Sequence, residues 1–152
     1  MQEHWSQGGP VAFPRSGWQI GGMPLRWKID PTQRFMLVRS SGDVSRAEVE
    51  ELIDAIVDNG ALGFDKLVDG SAAMTSMSDE EMLTLGMRFR ELHTGAAVGA
   101  LAMVMPVDRG DRMQRMLGMI AAADRPMRVF TDLDEAEAWL EKKIGRPVSY
   151  PL

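Results

Sequence analysis

The sequence predicts an α/β fold with a mostly parallel sheet, and three observations predict it. Short apolar runs alternate with stretches of helical periodicity from Pro24 to Ile144. One run, Val98–Met105 (VGALAMVM), is apolar throughout, as a strand buried on both faces of a parallel sheet would be. The helical stretches sit between the strands, where right-handed crossovers of a parallel sheet need them.

Taken in order, Leu25–Ile29 and Phe35–Arg39 are strands joined by the turn Asp30-Pro31-Thr32, close enough for an antiparallel hairpin. Gly42 ends the second. A helix follows from Arg46 to Asn59, with Ser45 as N-cap and Glu48 completing a capping box. Val49, Leu52, Ile53 and Ile56 give it one apolar face, and Asn59-Gly60 stops it. Phe64–Asp69 is the third strand. A second helix covers Asp79 to His93, its inward face being Met82, Leu85, Gly86, Phe89 and Leu92, with Gly95 as its stop. Pro106 closes the strand Val98–Met105. The third helix spans Arg109 to Asp124, with Met113, Met116, Leu117 and Ile120 inward. Met127–Phe130 is the last strand. Thr131 or Asp132 caps the helix Leu133 to Lys143, which buries Leu133, Ala136, Trp139 and Leu140, and whose closing lysines suit the negative end of the helix dipole. The expected order is β-β-α-β-α-β-α-β-α: about five strands, the first antiparallel, and four helices.

Residues 1–23 read as an extended or disordered arm, rich in glycine and proline, with Trp5 and Trp18 between. They lack the basic start and apolar stretch of a signal peptide. Met23, before Pro24, is an alternative start of translation. Residues 24–144 form the domain and 145–152 a tail with two prolines.

A length of 152 residues suits one domain with a real core. The net charge of −5 and the scattering of basic residues argue against a nucleic-acid binder. There are no cysteines, so disulfides, thiolate metal sites and cysteine nucleophiles are excluded. This fits a reducing cytoplasm. No apolar run reaches the ~18 residues of a membrane span.

Three stretches carry a family resemblance: GDVSRAEVEELIDAI (Gly42–Ile56), LVDGS (Leu67–Ser71) and VFTDLDEAEAWL (Val129–Leu140). In this order and spacing they resemble the STAS domain, the fold of bacterial anti-sigma factor antagonists, and its small bacterial STAS/SEC14-like relatives. The resemblance spans about Pro24 to Ile144. It implies an open β/α superhelical sheet in a bacterial regulatory protein, usually without a catalytic centre, that binds partner proteins. Some related modules bind lipids, nucleotides or other small molecules.

Phosphorylated members of that family carry a serine or threonine at the start of the helix after the strand-ending aspartate. Counted from Asp69, this register falls on Ser78. Met77, Asp79 and Glu80 stand where the family pattern has aspartate, a second serine and glycine. Ser78 is thus a low-ranking phosphosite, and Ser78–Glu81 is first a capping box for the second helix.

Asp43, Asp69, Asp108 and Asp132 belong to the carboxyl edge of the sheet, where α/β ligands bind. Converging carboxylates could hold Mg²⁺, but three of them have turn or cap roles. Asp69 has none, and would bond loop amides to shape the Ser71–Ser76 segment. His4 and His93 have no companions for a triad or a zinc site, and the hydrolase and nucleotide-loop motifs are missing. No catalytic residue, metal site or cofactor is assigned, and an enzyme ranks last.

Thirteen methionines remain. Most suit a core, but Met77, Met87 and Met119 depart from the inward stripes and are expected at an exposed apolar patch. The leading reading is a non-enzymatic module acting by protein–protein contact, a homodimer being one form of it, through Asp69, Met77, Ser78, Met87 and Met119. The alternative is a carrier or sensor of a small hydrophobic ligand or lipid in a methionine-lined pocket between helices and sheet.

Overall fold

Asp30 turns the chain back on itself: its carboxylate accepts the N–H groups of Thr32 (3.0 Å) and Gln33 (3.1 Å). Arg34 takes the left-handed conformation (φ 52°) that closes the turn. The strands either side, β2 (Leu25–Asp30) and β3 (Phe35–Asp43), pair antiparallel. The computed structural model describes residues 6–7, 25–94, 98–107 and 126–148. Within it β1 (Ser6–Gln7) pairs antiparallel with β2, while β4 (Asp65–Met74), β5 (Leu101–Val104) and β6 (Met127–Phe130) continue the sheet in parallel from β3. The strand order is β1-β2-β3-β4-β5-β6, the order of the chain itself. This is the expected α/β architecture with a mostly parallel sheet.

Three helices lie among the described residues: α1 (Arg46–Asp58), α2 (Asp79–His93) and α3 (Leu133–Ile144). The helix expected at 109–124, with Asp108, Met113, Met116 and Met119, lies outside the described residues. So do most of the arm and the end of the tail. Both predicted capping boxes are present, Ser45 with Glu48 and Ser78 with Glu81. Asp132 caps α3 by accepting the Glu135 N–H, and Gly145 ends it in the left-handed region (φ 75°).

Alternation along the strands builds two cores. On one face Leu25, Trp27, Ile29, Met36 and Val38 meet Leu52 and Ile56 of α1. On the other, Phe35, Leu37, Leu67, Ala102 and Val104 meet Ala136 and Leu140 of α3. Burying each of the larger side chains is worth about 1.5–3 kcal/mol. All four residues of β5 are buried, as a strand covered on both faces requires. Trp139 and Leu133, expected inside, are only half-buried at the margin of the α3 core.

Two strands run longer than expected. β3 continues beyond Arg39 to Asp43, and β4 beyond Asp69 to Met74. The small residues Gly70–Ala73 read as loop, yet their backbones still pair, from Ser41↔Ala72 to Asp43↔Met74. Register shifts once, between Arg39↔Asp69 and Ser41↔Ala72, so Gly70 and Ser71 together oppose Ser40. This is a β-bulge on β4. The strand β5 is shorter than expected. Its flank at Ala100 is held by Asp65, whose carboxylate accepts the Ala100 N–H at 2.9 Å.

Candidate functional site

The two capped helix starts follow the carboxyl ends of the neighbouring strands β3 and β4, and Asp43 bonds Ser76 between the segments that lead into them. Each has an apolar residue just before the N-cap that tucks under its own first turn. Met77 packs in one cluster with Met82, and Val44 in one with Val49, the arrangement of a hydrophobic staple. Met77 is consequently buried (6 % exposed), not part of an exposed patch as expected. A residue directly ahead of an N-cap, with an apolar residue four positions into the helix, was the signal for that burial.

Between these staples and the sheet lies a cavity of about 140 Å³. Val38 and Val68 form its floor, and Met103 and Met105 one side. Leu52 and Ile56 of α1, Leu85 and Phe89 of α2, and Met77 form the roof. Two glycines at inward positions, Gly70 at the bulge and Gly86 on α2, also line it and contribute no side-chain volume. Met74 lines the cavity and is itself 64 % exposed, which places the opening at the end of β4.

Few polar groups reach this space. The Thr75 hydroxyl donates to the Val44 carbonyl (2.8 Å) and accepts the Met77 N–H (3.1 Å). The Lys66 ammonium donates to the carbonyls of Leu62 (3.1 Å) and Phe64 (2.9 Å). Ser40 is the remaining polar lining residue among the described residues. Such a space is dry and suits an apolar guest.

The opposite face of the sheet holds a group of charges. Asp69 accepts the N–H (3.2 Å) and hydroxyl (2.8 Å) of Ser71, and its other oxygen lies 3.4 Å from Arg39 Nε. The first of these bonds shapes the bulge, as expected of Asp69. Arg26 stands beside Arg39 in the next strand. Burial, with the Arg39 charge behind it, pulls the Arg26 guanidinium below its ordinary value. Glu137 of α3 is pushed up, chiefly by burial and then by Asp134 and Glu141, with Arg39 opposing and Asp69 adding to the shift.

The residues expected to share one surface are therefore spread over several. Asp69 is buried on the α3 face, Met77 lines the cavity, and Ser78 is an exposed cap. Met87 is exposed on α2. Met119 lies outside the described residues. The three strand-end acids among the described residues do not converge: Asp43 bonds Ser76, Asp69 bonds Ser71, and Asp132 caps α3. Among the described residues no three acids or histidines come together as a metal site would require. No helix among them is long and apolar enough to cross a membrane. Sequence reasoning missed Ser40 and Gly70 as cavity residues; the signal was a serine and a glycine at strand positions of inward parity.

A family model described as SpoIIAA-like matches residues 35–141, the whole segment from β3 to the last turn of α3. The chain belongs to the SpoIIAA-like family. The resemblance to the STAS domain seen in the three motifs is thus shown at the level of the family. A solved structure with a SpoIIAA-like fold, an uncharacterised protein from Shewanella loihica PV-4, is similar at 15 % identity and a TM-score of 0.49. The match covers 82 % of this chain and 99 % of that one. No curated protein matches this SpoIIAA-like chain.

Proposed function

We propose that this SpoIIAA-like domain is a non-enzymatic, cytoplasmic regulatory module that binds a small hydrophobic ligand between its sheet and helices α1 and α2. The observation that carries this reading is the cavity of about 140 Å³ with its almost wholly apolar lining. Cavities of about this size in apolar cores stay dry and accept guests such as benzene. The methionines suit an adaptable lining, because the unbranched thioether fits irregular shapes. Native mass spectrometry of protein purified from its own host tests the reading, together with a thermal shift on adding toluene. A retained small molecule, or a rise in Tm with toluene, is the expected result. A clean apo mass with no shift overturns it.

A second reading, contact with a partner protein, is favoured by one observation. Leu83 and Met87, one turn apart on α2, are each 51 % exposed. Affinity capture with wild type and with Met87→Asp checks it: recovery of one partner that the variant loses supports it, and equal recovery opposes it.

A further inference from the structure

Ser40 stands apart among the cavity residues. It is only 7 % exposed, and its side-chain hydroxyl makes no hydrogen bond within the described residues. Both other polar lining residues bond the backbone. The bulge sets Gly70 opposite Ser40 with no side chain between them: a Cβ built there would crowd the Val104 carbonyl oxygen (3.0 Å) and Met105 Sδ (3.2 Å) and stand 3.6 Å from Ser40 Oγ. The cavity, which Ser40 and Gly70 both line, therefore borders a buried hydroxyl that has donor and acceptor capacity to offer.

We propose that the cavity is specific for a neutral amphiphile whose single oxygen bonds the Ser40 hydroxyl, the apolar body lying under α1 and α2. This rests on the cavity being a ligand site. Three observations set the ligand class. The volume of about 140 Å³ takes a body of benzene or toluene size, any longer chain leaving past Met74. The hydroxyl favours a guest that bonds it over one that leaves it unpaired. Among the described residues Lys66 is the only cationic one in the lining, and it stands four residues from Gly70 along β4, about 13 Å away. A carboxylate beside Ser40 would be buried without a counter-charge. Phenols, short alcohols and ketones meet all three conditions; carboxylates do not.

The test compares toluene, p-cresol and p-toluate by titration calorimetry on the full chain, as wild type, Ser40→Ala and Ser40→Cys. The wild type is expected to bind p-cresol about five- to tenfold more tightly than toluene, and p-toluate more weakly than either. Ser40→Ala and Ser40→Cys are expected to keep toluene affinity within about twofold and to lose the preference for p-cresol. Toluene binding with no preference for p-cresol, or a preference that both variants retain, overturns the role of Ser40 and leaves the cavity reading standing. Tighter binding of p-toluate than of p-cresol overturns the neutral class. Failure of the folded wild type to bind any probe overturns both readings.

Discussion

The Asp43 carboxylate accepts both the N–H and the hydroxyl of Ser76, each at 2.9 Å, across a separation of 33 residues. This pair joins the end of β3 to the segment leading into α2, just beside the opening of the cavity. Both side chains are exposed, so water competes for the bonds. Asp43→Ala is expected to lower stability by about 1 kcal/mol. A urea titration read by circular dichroism measures it, with Ser76→Ala as partner in a double-mutant cycle. Additive losses would show that the two residues do not act together.

Met77 and Met87 separate core from surface. Met77→Ala empties a position packed against Ile53, Met82 and Leu85, and is expected to cost about 2–4 kcal/mol. Met87→Ala removes an exposed side chain and should change stability by less than ~0.5 kcal/mol. Equal midpoints for the two variants in denaturant would contradict the packing described.

Ser78 is the N-cap of α2, its hydroxyl accepting the Glu81 N–H at 3.1 Å. Ser78→Ala is expected to cost about 1 kcal/mol, while Ser78→Asp, an equally good cap, should stay close to wild type. The two variants thus isolate capping from charge. Loss of stability in Ser78→Asp equal to that in Ser78→Ala would mean that the acids at Asp79 and Glu80 reject a further negative group.

Glu137 should give the stability curve a feature in acid. Its pKa is raised in the fold, chiefly by burial, so the protonated form is favoured there relative to the unfolded chain. The associated stability is fully present below the unfolded carboxyl value, about 4.3, and is lost as pH rises through the higher folded value. Glu137→Gln, which is neutral throughout, should be more stable than wild type at pH ~7 and lose that advantage as the solution is acidified. Midpoints in urea at neutral and acid pH show this. A constant difference between the proteins at all pH would contradict it.

Gly99 lies where the chain enters β5 against the backbone of Phe64. A Cβ there would stand 2.5 Å from the Phe64 carbonyl carbon and 2.7 Å from the Asp65 nitrogen. Backbone cannot yield as a flexible side chain does. Gly99→Ala is expected to destabilise by about 3 kcal/mol, at the upper end of overpacking costs. A near-native Tm would show that the two segments can separate.

Much of the fold is legible in the sequence because its signals are local. The helix of Arg46–Asp58 announces itself by Ser45, Glu48 and the spacing of Leu52, Ile53 and Ile56. The helix of Asp79–His93 does so by Ser78 and Glu81. The ends of β3 and β4 are less legible, because their pairing past Arg39 and Asp69 depends on backbone groups that small side chains do not reveal. The cavity is harder still. Its lining comes from α1, α2 and the four strands β2 to β5, and its space arises between residues far apart in the chain. Met77 was misread because a helical wheel begins at the N-cap, whereas the staple residue precedes it.

The strands lie side by side in the order in which the ribosome makes them. Each new strand from β3 onward therefore docks on an edge that already exists, and none must be inserted between two others. Contacts between neighbouring strands stay comparatively short in sequence, which favours fast folding. The exception is the face bearing Phe35, Leu37 and Leu67, which waits for Ala136 and Leu140 from the far end of the chain. A nascent chain halted before α3 would display that apolar face, and it is there that a chaperone would be needed.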